Sequence, residues 1–140
     1  MTNELSIAIE TPNNADMGQV MHQLQAYNAS KAGGEVPDYL FIAARDAAGE
    51  IKGGLIGGVY LGWLTVTVLT LDESLRGQGH GAKLLKLAED EAVRRGCPRV
   101  FLETLSFQSL PFYEKQGYRV HSQLEGFPPG GARYALTKML

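Results

Sequence analysis

The chain has 140 residues, of which 44% are hydrophobic and 20% charged, a composition that fits one folded domain and excludes a disordered chain. Thirteen basic against fifteen acidic side chains leave a net charge of −2, so neither nucleic acid nor an anionic membrane is indicated as a partner. One cysteine, Cys97, makes no intramolecular disulfide, and His22, His80 and His121 are too scattered to ligate a metal. No metal is expected, and a reduced, cytoplasmic setting fits.

The first residues carry Glu4 and no long apolar core, so a signal peptide is not expected. Leu5, Ile7 and Ile9 alternate with polar or small residues and predict a first strand. Thr11-Pro12-Asn13-Asn14 ends it, and Asn13 or Asn14 caps a helix reaching about Ser30, with Met17, Val20, Met21, Leu24 and Tyr27 at helical spacing. A loop through Gly33, Gly34 and Pro37 precedes a buried strand over 39–44. Strands follow over 51–60 and 63–71, with a turn at Gly62. The stretch 53–71 carries no charge and approaches a membrane-spanning length. Its glycines and the alternation of Trp63-Leu-Thr-Val-Thr-Val68 instead predict adjacent strands. A helix from about Gly79 to Arg95, a strand from Val100, a short helix over 111–115 and strands over 118–124 and 133–138 complete a mixed α/β sheet of six or seven strands in one domain, 1–140.

The segment Arg76-Gly77-Gln78-Gly79-His80-Gly81-Ala82 opens the long helix directly after a strand and short loop. The first N–H groups of a helix have no intrahelical acceptor, and glycines let a phosphate approach them. A P-loop is excluded because Lys83 follows Ala82 and precedes Leu84. A dinucleotide pattern does occur at Gly77, Gly79 and Ala82, with Glu103 in the place of its ribose-binding acid. However, four residues separate Leu71 from Arg76, and too little chain remains for a second nucleotide-binding half. The glycines could also serve only a tight turn and close helix packing.

Arg76-x-x-Gly79-x-Gly81 resembles the acyl-CoA signature of the GNAT superfamily of N-acetyltransferases. The segment Phe112-Tyr113-Glu114-Lys115-Gln116-Gly117-Tyr118 resembles the superfamily's "FYEKLGF" segment, and the order of elements over about 38–139 agrees. This resemblance implies a GNAT-like sheet splayed in a V and flanked by helices. It implies acetyl-CoA as cosubstrate and direct transfer of acetyl to a primary amine, on a small molecule or a protein. The alternative is a noncatalytic acyl-CoA-binding or sensing domain on the same fold. Superfamily members often form homodimers, but no interface is legible here.

Carried onto this chain, the resemblance places the pantetheine arm of CoA on the backbone of Leu69 and Leu71, and the developing oxyanion at the Leu71 amide. The pyrophosphate falls to the backbone of Arg76, Gly77, Gln78, Gly79, His80, Gly81 and Ala82. Tyr113 matches the tyrosine that protonates the departing thiolate. Where many members carry an asparagine this chain has Ser106, with Gln108 as a substitute partner for the cofactor. The direct mechanism needs a neutral amine. An alkylamine of pKa about 10.4 costs about 4 kcal/mol to deprotonate near pH 7. Glu103, at the end of the strand beside the V, is the first candidate to assist, and Asp72 and Glu73 are second. Tyr27, Tyr39, Trp63 and Phe127 are candidate substrate-facing aromatics.

Overall fold

The structure, a computed structural model, describes residues 4–140. The chain forms two compact units, one ending at Val36 and one spanning Pro37–Leu140. In the first, α1 (Asn14–Lys31) starts where the Asn13 side chain accepts a 2.8 Å hydrogen bond from the Asp16 amide, as a capping asparagine does. Asp16 and Lys31 lie at the ends favoured by the helix dipole. The strand predicted over Leu5–Ile9 is not formed. Alternation alone does not make a strand; it needs a neighbour to take up its backbone groups.

The second unit is built on six strands: β1 (Asp38–Arg45), β2 (Ile51–Tyr60), β3 (Trp63–Leu71), β4 (Arg99–Leu105), β5 (Arg119–Glu125) and β6 (Ala132–Met139). They lie in the order β1-β2-β3-β4-β6-β5, antiparallel throughout except for β3 against β4. The crossover between these two parallel strands carries a single 3₁₀ turn (Glu73–Leu75) and α2 (His80–Arg94), as a parallel connection requires. A short α3 (Leu110–Lys115) joins β4 to β5.

The apolar stripe of α2 is Leu84, Leu85, Ala88 and Ala92, all buried. It shares one core with Leu55, Leu64, Val100, Leu102 and Leu136 from the sheet. α2 ends at Gly96, whose left-handed φ of 80° lets the Cys97 amide reach the Ala92 carbonyl at 2.8 Å. Cys97 is buried there, its thiol on the Gly62 carbonyl. The glycines of β2 serve close packing between strands: a Cβ on Gly54 would stand 2.5 Å from the Ile42 carbonyl oxygen, and one on Gly57 2.4 Å from that of Thr65. Among the described residues no helix is long and apolar enough to cross a membrane.

The parallel ladder between β3 and β4 is short. It joins Leu64 to Val100, Thr65 to Phe101 and Val66 to Leu102 and then stops. At the same level the β2–β3 register slips, so that Ile56 pairs with Val68 but Gly57 with Val66. Thr67 is the extra residue, and such a bulge bends its strand. Beyond it β3 and β4 part, which splits the sheet in a V.

Candidate active site

The V opens into a cleft of about 840 Å3. The outer half of β3 forms one wall, β4 the other, and the start of α2 and α3 close its sides. The Asp72 amide bonds back to the Lys52 carbonyl on β2 at 2.8 Å. Backbone groups alternate in direction along a strand, so the amides and carbonyls of Leu69 and Leu71 point away from β2, into the gap. The Leu71 carbonyl accepts from Arg76 Nε at 3.2 Å. The Arg76 side chain thus folds back to fix the loop, and the Leu71 amide keeps its capacity to donate.

The start of α2 supplies a second set of donors. Its N-cap is Gly79, at φ 85°, with no side-chain cap. A side chain at that angle would be strained, and an uncapped helix start leaves its first amides unspent. Gly77, Gly79, Gly81 and Ala82 all line the cleft. Gln78 and His80 do not; Gln78 donates to the Ser74 carbonyl at 3.0 Å and so braces the loop from behind.

Tyr113 is buried, only 7% exposed, and lines the cleft. Its ring stands edge-on to Phe112 at 5.1 Å and to Tyr118 at 5.9 Å. Burial raises its pKa, so the phenol keeps its proton. Among the described residues no protein group hydrogen-bonds its hydroxyl, and since no buried side-chain oxygen lacks a partner, that hydroxyl is open to the cleft. Tyr118 is held differently: its hydroxyl donates to Glu89 at 2.8 Å, and burial together with that carboxylate pushes its pKa far up. Lys138 completes the group, 3.1 Å from both oxygens of Glu89.

Glu103 lies on the opposite wall. Arg133 on β6 donates to both of its oxygens, Nε at 2.8 Å and Nη2 at 3.0 Å. The guanidinium holds the Glu103 carboxyl below its ordinary pKa, mainly through these hydrogen bonds. Arg133 also lies over the Phe127 ring at 4.8 Å. Asp72 is spent elsewhere: it caps the 3₁₀ turn by accepting from the Ser74 amide at 2.9 Å and hydroxyl at 2.7 Å, and its pKa is lowered chiefly by that hydroxyl.

The structure therefore brings together Leu69, Leu71, Arg76, Gly77, Gly79, Gly81, Ala82, Glu103, Gln108 and Tyr113 around one cleft. Ser106 is not among its lining residues; its hydroxyl accepts from the Ala132 amide at 3.0 Å and ties β4 to β6. Gln108 Oε1 accepts from the Leu105 amide at 2.9 Å and from Thr104, which leaves its amide NH2 for the cleft. Trp63 lies over a separate depression with Tyr60, Phe101 and His121. The ties of Glu103 to Arg133 and of Tyr118 to Glu89 and Lys138 carry no signal in sequence spacing.

Residues 9–118 match the model of the acetyltransferase (GNAT) family. The chain belongs to that family. An acetyltransferase of Agrobacterium fabrum is 39% identical over 95 residues, 68% of this chain and 69% of its own. A blasticidin-S acetyltransferase of Streptomyces morookaense is 40% identical over 93 residues, 66% of this chain and 68% of its own. The fold agrees as closely: a crystal structure of an acetyltransferase from Bacillus cereus superposes with a TM-score of 0.78 at 29% identity, over 96% of this chain and 98% of that one. An Agrobacterium tumefaciens protein assigned as an acetyltransferase reaches 0.88 at 31% identity, over 97% and 100%. The six-stranded mixed sheet is thus a GNAT fold and the chain an N-acetyltransferase.

Proposed function

We propose that the protein moves an acetyl group from acetyl-CoA directly to a primary amine in this cleft. The observation that carries the reading is the meeting, in one cleft, of an unpaired strand edge, an uncapped glycine-rich helix start and a buried tyrosine with an unspent hydroxyl. An elongated molecule with amide groups at one end and phosphates at the other fits that donor set. The edge of Leu69 and Leu71 offers strand-like hydrogen bonds to amides. The first turn of α2 offers N–H groups and the positive end of a helix dipole to phosphates. Acetyl-CoA, when bound, supplies an activated thioester and a thiol leaving group.

The chain's own groups then divide the work. The Leu71 amide donates to the thioester oxygen as negative charge develops there. Tyr113 gives a hydrogen bond or proton to the departing sulfur. Glu103 stays ionised beside Arg133, attracts the acceptor ammonium, and assists its deprotonation through water. Arg76 and Gln78 hold the loop in shape. The test is thiol release from acetyl-CoA with a broad panel of amines, alongside calorimetric titration of CoA. Amine-dependent thiol release is expected. Tight CoA binding with no turnover of any amine would replace this reading by acyl-CoA sensing.

A further inference from the structure

The Glu103–Arg133 pair is placed and shaped to do more than hold a carboxylate in position. Arg133 reaches Glu103 side-on, through Nε and Nη2. A guanidinium carries five N–H groups along a rigid fork. Side-on pairing spends one two-donor edge and leaves a second, made of Nη1 and the other N–H of Nη2. Among the described residues no protein acceptor meets that edge. The Phe127 ring lies under the guanidinium, 4.8 Å from its carbon to the ring centroid, a cation–π contact that favours this position. Both partners remain accessible, Arg133 with 36% of its side chain exposed and Glu103 with 40%.

A fixed ion pair of this kind is complementary to a ligand that carries both charges. An ammonium approaching Glu103 lies within a few ångströms of the open edge of Arg133, since the two side chains share a bidentate contact. A carboxylate or phosphate on the same small molecule meets that edge in the fork geometry that guanidinium prefers. A purely cationic amine gains nothing there and leaves the edge to water.

We propose that Arg133 is a specificity-determining residue and that the acceptor is an amine bearing a nearby anionic group, a carboxylate or a phosphate. This rests on the reading of the cleft as an amine acetylation site. When an anion draws on Arg133, the guanidinium is shared, and Glu103 becomes a better proton acceptor at the moment the amine is in place.

The experiment compares amines with and without the anion, each rate referred to its fraction of unprotonated amine: L-alanine against L-alaninamide for carboxylate, glucosamine 6-phosphate against glucosamine for phosphate. kcat/KM is measured by thiol release for the parent, Arg133→Gln and Arg133→Lys, with melting temperatures to establish folding. The parent should favour at least one anionic member about tenfold or more, the scale of a charge-assisted hydrogen bond. The pair that shows the preference identifies the anion. Arg133→Gln should bring that ratio close to one, and Arg133→Lys should keep part of it. A parental ratio near one in both pairs, or a preference that survives Arg133→Gln, would overturn the assignment while leaving acetyl transfer intact. Absence of thiol release with every amine, in a protein that binds acetyl-CoA, would remove the catalytic reading and this inference with it.

Discussion

The two walls of the cleft are made of different material. The wall of β3 and α2 works through backbone: amides of Leu69 and Leu71 freed by the parting of β3 from β4, and helix-start amides left open by Gly79. The β4 wall works through a side chain, Glu103, which is tied from behind to Arg133 on β6, with the Phe127 ring 4.8 Å from that guanidinium. Backbone donors suit a cosubstrate of constant shape, since they depend on chain path and tolerate change in exposed side chains. Side-chain pairs suit an acceptor that differs between relatives, because a single substitution rewrites them. The two walls thus answer to different changes, one to the path of the chain and the other to single side chains.

Tyr113 stands between the walls, and its removal should have the largest effect. Tyr113→Phe keeps the ring against Phe112 and Tyr118 and removes only the hydroxyl. Turnover should fall about 10²–10⁴-fold, with acetyl-CoA affinity nearly unchanged by calorimetry. Near-parental turnover would pass the proton role to water.

The support behind the tyrosine can be broken separately. Lys138→Met removes the cation from buried Glu89 and should cost about 3 kcal/mol, as loss of one partner of a buried pair does. Urea denaturation reads this directly, and an unchanged midpoint would show that Tyr118 alone satisfies Glu89.

The backbone wall should respond to bulk rather than charge. A Cβ at Gly81 would stand 3.4 Å from the Phe112 ring, so Gly81→Val crowds the helix start. CoA affinity should fall about tenfold or more, roughly 1.4 kcal/mol, while the pH profile keeps its shape. Equal affinity in a folded variant would take the phosphate site away from this loop.

The side-chain wall should respond in the opposite way. Glu103→Gln should lower turnover about tenfold, within the lower reach of proton-transfer effects, and leave CoA affinity alone. The smallest effect is a shift in pH dependence. Arg133 depresses the Glu103 pKa, so the ionised form survives as pH falls through about 4.3, the ordinary glutamate value. Removing the cation in Arg133→Gln lets that pKa rise, and the acid limb of kcat/KM should move to higher pH. An acid limb that does not move would detach Glu103 from the rate.

Much of this is legible in the sequence. Gly96 and Pro98 marked the end of α2, the uncharged stretch 53–71 resolved into two strands, and the glycine segment lay at the head of a helix after a strand. These features are local: each depends on backbone angles, periodicity or the loss of an N–H within a few residues. The strand expected over Leu5–Ile9 shows the limit of such reasoning, because pairing with a neighbour decides a strand and alternation only permits it.

Short contiguous segments carry the order of elements from α1 onward, the family signature and the candidacy of Tyr113 and the glycine loop, so all of these are legible in the sequence. Packing alone sets where β3 leaves β4, that Ser106 serves the β4–β6 tie, that Tyr113 keeps its hydroxyl open while Tyr118 spends its own on Glu89, and that Glu103 lies against Arg133. Distance along the chain is the cause: Glu103 and Arg133 meet through the register of β4 on β6, and Glu89 and Tyr118 through the packing of α2 on the sheet, and neither meeting is written in the spacing of the residues concerned.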